Sequence, residues 1–541
     1  MSLDPPTEAS PGGGDHLFVR QATGLVRELS LTDNVVLSAS YISVFLGVTY
    51  LTLVPSTFTG ANIALAFALT FALCVPHFVT YGWLSSAMPR SGGDYLFLSR
   101  VVHPLAGFIV NGIISLVFIA GLGNVALTVP QFGLPAMFES LAFITGNSRW
   151  DNYTSDVTSQ AGQVWIAGAL IVITGVISLF SVRAVARWAI GLFAIGLVGA
   201  FAAVISLLTV SPSGFVRDFQ RVGSVPKIVA AAHGDGVFPN HADTGALFAS
   251  FIILSVAIGY GYIPTYWGGE VRQARSKMLP AMLAGAALAT GLLVLIAILA
   301  VHVMGADFLG AAGYVSFAHP EVWPFPSAPA LYALIVISHP HSWLAVLLGV
   351  SFVAGITGTI LPSYLMLTRN SLAWAIDRVV PPIFGEVSPR THTPLFSTVF
   401  MIVVSVGYLL LAVYHWASDI VLLFAIVALM AIFVWMCTGI AAVLFPYTAK
   451  KMFEDSPVNR RVGGIPLLSI VGAIDAAIMA YFIYITMFTH WGELAGLKTS
   501  TAVEVMAIEI GGLTAIWLVA FAVSKRRGIS LTLAQQALPP E

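Results

Sequence analysis

The chain has 541 residues, of which 58% are hydrophobic and only 9% charged, and its formal net charge is −1. A soluble domain carries roughly 25% charged residues, so a chain with about a third of that cannot cover itself in water. The composition therefore excludes a soluble enzyme, and with no basic tract in the chain no nucleic-acid partner is expected.

The first 28 residues form a polar tail rich in Pro and Gly. No apolar stretch precedes a small-residue cleavage site there, so no removable signal peptide is expected. Apolar runs of about 20 residues, the length that crosses ~30 Å of hydrocarbon as a helix, then recur twelve times. They centre near Ser43, Leu73, Phe118, Val172, Gly196, Gly259, Leu293, Ile356, Val404, Val427, Met479 and Ala515. The chain divides accordingly into a tail (1–28), five spans (29–210), an external loop (211–243), five more spans (244–445), a final pair (446–523) and a second tail (524–541).

Span 1 places three hydroxyls and a phenol in apolar surroundings, Ser38-Ala39-Ser40-Tyr41-Ile42-Ser43, with Gly47 after them. The backbone could open there, although mid-span serines also bond back to their own helix. Span 3 carries Asn111, Gly123-Asn124 and, near its outer end, Glu139. Asn152-Tyr153-Thr154 matches a glycosylation sequon on a predicted external loop. Span 6 is the most informative segment: its middle reads Gly259-Tyr260-Gly261-Tyr262-Ile263-Pro264, and Gly268-Gly269-Glu270 ends it. Unwound backbone survives inside hydrocarbon only where it is buried in protein or lines a cavity, so this break predicts a solute site at mid-membrane. Span 8 adds hydroxyls at Ser351, Thr357, Thr359 and Ser363. The two longest loops, Ser211 to Asp243 and Gly305 to Pro340, are each expected to hold a short capping helix.

Charge placement orients the spans. With the N-terminus inside, 19 of the 24 Lys and Arg fall on the cytoplasmic side, and Arg149, Arg217, Arg221, Lys227 and Lys498 fall outside. That bias predicts cytoplasmic N- and C-termini in a multi-pass protein of the cell membrane. Carboxylates within spans are few: Asp33, Glu139 and Asp475 are each expected to be solvated near an interface, while Glu504 and Glu509 lie deeper in span 12. Cys74 and Cys437 both fall inside spans, where packing is their expected role. No GxSxG, HExxH, P-loop or Cys-x-x-Cys occurs, so no enzyme is expected. His339-Pro340-His341 is the only close histidine pair, and its proline prevents a helical metal geometry.

The loops carry a recognisable pattern. AMPRSGGDYLFLSRVVHPLAGF (Ala87 to Phe108), GGEVRQARSKMLP (Gly268 to Pro280) and TRNSLAWAIDRVVPP (Thr368 to Pro382, followed by Thr393-Pro394) stand in order, with ELSLTD (Glu28 to Asp33) before span 1. Together they resemble the amino acid/polyamine/organocation permeases. The resemblance implies an all-α polytopic fold of the LeuT type with 12 transmembrane helices. Ten of them would form a five-plus-five inverted repeat with helices 1 and 6 broken, and two would lie outside the core. It also implies a substrate site built from Tyr41, Ile42, Ser43 and Phe45 of span 1, Asn124 of span 3, and Ile258, Gly259, Tyr260 and Gly261 of span 6, with Tyr262 beside it. The Pro89 to Tyr95 loop would pack near the inner gate.

Two departures bear on the substrate. Val44-Phe45-Leu46-Gly47 stands where many relatives have Gly-x-Gly contacting a carboxylate, and Tyr262 stands where some relatives have an acidic residue. An aromatic, dipolar site follows, suited to a neutral or apolar amino acid or small organic amine rather than a polyamine. No cofactor is expected. Coupling to sodium, through Ser351 or Thr357 with span 1 carbonyls, or to protons stays open, and span 5 lacks the lysine of certain proton-coupled relatives. The expected function is secondary active transport by alternating access; the alternative is a receptor or sensor of the same fold that binds such a ligand without moving it. A channel is disfavoured because no filter sequence or charged ring is visible. The partners implied are the small-molecule substrate and the lipid bilayer, with the oligomeric state open.

Overall fold

The structure is a computed structural model, and it describes residue 25 and residues 27–238, 242–416 and 420–527. Most of the two expected tails, 1–28 and 524–541, lies outside the described residues. Among those residues, 12 helices are long and apolar enough to cross a membrane. In chain order they are Leu31–Thr57, Ile63–Ala87, Pro104–Thr145, Gln160–Ile177, Val182–Leu208, Thr244–Tyr266, Ala274–Met304, Ser342–Ile376, Leu395–His415, Val421–Thr448, Leu467–Phe488 and Thr499–Arg526, and they keep the names span 1 to span 12.

Local chemistry sets where several of these helices begin. Ser30 and Asp33 close a reciprocal capping box at the start of span 1: the Asp33 amide donates to the Ser30 hydroxyl oxygen at 3.2 Å and the Ser30 amide to the Asp33 carboxylate at 2.8 Å. Asn62 caps span 2 through the Leu65 amide at 3.0 Å, and Ser159 and Ser181 cap spans 4 and 5 in the same way. Span 3 starts with Pro104 in the first turn, where the missing N–H costs nothing.

Burial then separates centre from periphery. In their most apolar stretches spans 1 and 6 are 89% buried, against 11% for span 12. The two broken helices thus form the middle of the bundle, and span 12 presents nearly its whole surface outward. Small residues allow the tightest crossings: a Cβ on Gly439 of span 10 would stand 2.9 Å from the Gly472 carbonyl of span 11, the close backbone approach typical of membrane helices.

The loops rich in Lys and Arg gather on one face, here the basic face. It carries the short helix Asp94–Val101 between spans 2 and 3, and a small hairpin in which Arg461–Val462 pairs antiparallel with Ile465–Pro466. The opposite face holds the two long loops, each with two short helices rather than one: Pro212–Phe219 and Val225–Gly234, then Ala306–Ala318 and Leu331–Ser338. The sequon lies within another helix, Arg149–Thr158, with Thr154 buried.

Two carboxylates expected to be solvated are not. Glu139 is 4% exposed and accepts the Ser327 amide at 3.0 Å and the Ser327 hydroxyl at 2.9 Å, which pins the loop before span 8 to the end of span 3. Asp475 is fully buried against span 2. Position along a helix gives depth in the membrane, but the neighbouring helices decide exposure.

Candidate functional site between the broken helices

Span 1 breaks at a single residue. Ser43 has φ 38° and ψ 92°; its amide donates to the Ser40 carbonyl at 3.2 Å, and its hydroxyl oxygen accepts the Leu46 amide at 3.2 Å as the N-cap of the second half-helix. Span 6 departs from α-helix over a longer stretch. Residues Gly259–Tyr266 form tight 3-10 turns, with Pro264 inside them and every residue buried. A Cβ on Gly259 would lie 2.2 Å from the Trp435 ring, so only glycine lets span 10 pack there. The first half-helix of span 1 fastens to the span 6 break and its end: the Ser38 hydroxyl donates to the Gly261 carbonyl at 2.9 Å, and the Trp267 indole donates to Asn34 Oδ1 at 3.0 Å.

Between them lies a cavity of 20 Å³ lined by Tyr41 and Leu46 of span 1, Val117, Phe118, Gly121 and Val125 of span 3, Val256 and Tyr260 of span 6, Thr359 of span 8, and Phe424 and Val427 of span 10. That is room for about one water molecule. Three rings close it: Tyr41 stacks on Phe118 at 5.5 Å between centroids, and Tyr260 meets Tyr41 edge-on at 5.5 Å and Phe118 edge-on at 5.2 Å. The Ser363 hydroxyl donates to the Tyr41 hydroxyl at 3.3 Å, whereas the Tyr260 hydroxyl has no hydrogen-bond partner. No charged side chain lines the cavity.

The residues expected from the sequence are placed unevenly around it. Tyr41 and Tyr260 line the cavity; Ile42, Ser43, Ile258, Gly259 and Gly261 form the buried backbone of the two breaks. Phe45 points away, edge-on to Phe352 of span 8 and against Gly196 and Gly355. Asn124 faces span 9, where its Oδ1 accepts the Tyr408 hydroxyl at 3.0 Å. Tyr262 turns to the other side of span 6, with its ring 4.1 Å from that of Tyr81. The expected ion ligands do not converge. Ser351 donates to the Ile195 carbonyl of span 5 at 3.1 Å, and Thr357 bonds back to Val353 at 2.6 Å. Thr359, like Ser363, is a span 8 hydroxyl that reaches span 1, donating to the Ser40 carbonyl at 3.0 Å. Phe118 and Phe424 were not expected at the site, since an aromatic in an apolar span carries no local signal of which way it points.

The basic face below the cavity is fastened shut. Glu270 accepts two hydrogen bonds from the Arg369 guanidinium, at 2.7 and 2.8 Å, with both side chains 1% exposed. The Glu270 carbonyl also accepts the Glu28 and Leu29 amides at 3.0 Å, so the segment before span 1, the end of span 6 and span 8 form one knot. The Pro89 to Tyr95 loop packs on it: the Gly92 amide donates to the Tyr266 carbonyl at 2.9 Å. Gly93 has φ +51°, and a Cβ there would stand 2.5 Å from the Tyr266 ring, which accounts for the paired glycines. Asp94 follows; burial pushes its carboxyl up to about 6, while a hydrogen bond from Asn111 at 3.2 Å works against that shift. Arg100 and Asp377 form a second buried pair at 2.7 Å, with the Tyr95 hydroxyl on Asp377 at 2.9 Å.

On the opposite face His319 joins Asp235 at 2.8 Å and Glu321 at 3.2 Å. The hydrogen bonds to these two carboxylates raise the imidazole above its ordinary value. His339 is not a free loop residue, since its Nε2 stands 3.1 Å from both the Thr209 hydroxyl and the Ser206 carbonyl. Among the described residues no group of three or more His, Cys, Asp and Glu is placed to hold a metal ion.

Comparison with known proteins agrees with this architecture. A plant relative, the vacuolar cationic amino acid transporter 8 of Arabidopsis thaliana, is 21% identical over 141 residues. The match covers 26% of this chain and 23% of the relative's length. A family model described as amino acid permease matches residues 31–513, nearly the whole membrane-spanning part. The chain therefore belongs to the amino acid permease family of multi-pass membrane transport proteins.

Proposed function

We propose that this protein is a secondary transporter of an amino acid or related small organic amine, neutral or apolar in its side chain, and that it works by alternating access around the cavity between spans 1, 3, 6, 8 and 10. One observation carries the reading: two helix breaks meet at the centre of the bundle beside a cavity lined by aromatic rings, aliphatic side chains and one hydroxyl, with no charge. Freed backbone groups at the ends of half-helices bind the amino and carboxylate groups through their dipoles, and the rings of Tyr41, Phe118 and Tyr260 cover the side chain. The relative in Arabidopsis is named for cationic amino acids. Here no acidic residue reaches the cavity, which favours an uncharged side chain. Spans 1 to 5 and 6 to 10 act as inverted halves, with the basic face cytoplasmic in keeping with the positive charge bias.

Counterflow of labelled leucine in proteoliposomes tests this reading, after a thermal-shift screen of amino acids and amines that ranks ligands by the stabilisation they give. Wild-type protein exchanges label, and Gly261→Leu, which forces a branched side chain against Phe78 and Ala286, does not. Equal exchange by Gly261→Leu and wild type would place the site elsewhere. Saturable binding without counterflow would favour a receptor of the same fold.

A further inference from the structure

A second polar centre lies on the far side of span 6 from the cavity. His77, in the middle of span 2, and Asp475 of span 11 approach to 3.8 Å between Nδ1 and Oδ1, and both side chains have zero exposure. Neither ring nitrogen and neither carboxylate oxygen makes a hydrogen bond. Ionisable groups are costly at mid-membrane and persist there mainly where they work. Packing alone would be served better by apolar residues of the same size, as replacement of buried ion pairs elsewhere illustrates.

The surroundings tie this centre to the substrate site. The His77 ring is edge-on to Tyr262 of the span 6 break at 4.9 Å and to Tyr81 at 4.7 Å, and lies 4.6 Å from Trp435. Trp435 in turn contacts Tyr260 at 5.4 Å, and Tyr260 lines the cavity. The other titratable groups facing the pair are Cys74 on span 2, which feels the charge of Asp475, and the Tyr81 and Tyr262 phenols, on which Asp94 also acts. Thr80, one turn from His77, stands beside Asp475. No Lys or Arg belongs to the group, so the pair is the centre's own source of charge.

We propose that His77 and Asp475 form a proton-binding site whose occupancy is linked to the state of the span 6 break. The inference rests on the transport function proposed above only for its coupling step. With one shared proton the pair is net neutral, whether the proton sits on the carboxylate or as a second proton on the imidazole, and that state costs less in hydrocarbon than a lone buried carboxylate. Loss of the proton to water leaves a buried charge of −1, which requires the site to open. A rearrangement of Gly259–Tyr266 moves Tyr262 off the imidazole and provides that opening. One proton enters from the water on one face and one leaves to the water on the other, with no bond formed or broken besides those to hydrogen.

Infrared difference spectra of the purified protein between acid and alkaline pH read the protonation directly and need no substrate. A carboxylic acid band that titrates in the wild type is expected to vanish in Asp475→Asn and to shift in His77→Gln. An unchanged band in both variants would overturn the site. In proteoliposomes, a gradient of ~1 pH unit supports about tenfold accumulation of labelled leucine at one proton per substrate. The ratio of gradient-driven to counterflow uptake is expected to fall about tenfold in Asp475→Asn, and His77→Gln reads the same ratio should the first variant not fold. An unaltered ratio would overturn the coupling. Failure of the wild type to move leucine or any other amino acid would count against the function proposed above, while the infrared bands would still decide the proton site.

Discussion

The two broken helices solve the same problem in opposite ways. Span 1 opens at one residue and repairs itself: the Ser43 hydroxyl caps the next half-helix, and the Ser43 amide bonds back to the Ser40 carbonyl. Span 6 opens over eight residues, Gly259–Tyr266, and borrows its partners from Ser38, Gly92 and the ring of Trp435. A break that satisfies its own backbone can stay put while its neighbours move. A break held by other spans changes whenever they do, so span 6 is the half of the site that reports on the rest of the bundle.

The knot on the basic face offers the harshest way to break that contrast. Arg369→Met strands the Glu270 carboxylate without its partner, an expected loss of about 3–5 kcal/mol, read as a large drop in the melting temperature of the purified protein. The double variant Glu270→Leu/Arg369→Met should recover most of it; equal melting of the single and double variants would mean that the pair does not hold span 6. Next, Gly259→Ala pushes a methyl into the Trp435 ring at 2.2 Å, whereas Gly261→Ala meets Phe78 at 3.1 Å. Overpacking of that kind costs about 1–3 kcal/mol, and the order Gly259 before Gly261 in loss of thermal stability is the outcome that supports dependence on neighbours.

Span 1 should respond more gently. Ser43→Ala loses a cap worth about 1 kcal/mol, while Ser43→Gly loses only a few tenths and suits the positive φ. If both variants melt like the wild type, the hydroxyl is not what caps the break. A pH dependence is expected from Asp94, in the loop that clamps the end of span 6. Burial raises its carboxyl from 3.8 to about 6, so the folded state holds its proton more tightly than the unfolded chain. Stability therefore falls as pH rises through that interval and stays lower above it. Asp94→Asn should flatten this slope in melting curves taken across the interval; an unchanged slope would assign it to another group.

The helix count and the span 6 break were legible because both are written locally, in runs of apolar residues and in Gly259, Gly261 and Pro264. Which way a side chain points from its helix is written in the neighbours. Hence Phe45 and Asn124 were expected at the cavity and turn instead to span 8 and span 9. Ser351 and Thr357 likewise spend their hydroxyls on carbonyls of spans 5 and 8. Asp475 reads as an interfacial residue along the chain, and its burial follows from span 11 packing against span 2. His77 did carry a signal, as an ionisable ring in the middle of an apolar span, which a survey of carboxylates alone passes over.

For the transport proposed above, the 20 Å³ cavity has a consequence for affinity. A ligand larger than a water molecule must wait for Tyr41, Phe118 and Tyr260 to part, so its measured affinity contains the fraction of molecules already parted. If that fraction is ~1%, the apparent dissociation constant is about a hundredfold weaker than the intrinsic one. Smaller rings at these positions would then tighten binding while weakening selection between side chains, and a weak ligand need not be a poor fit.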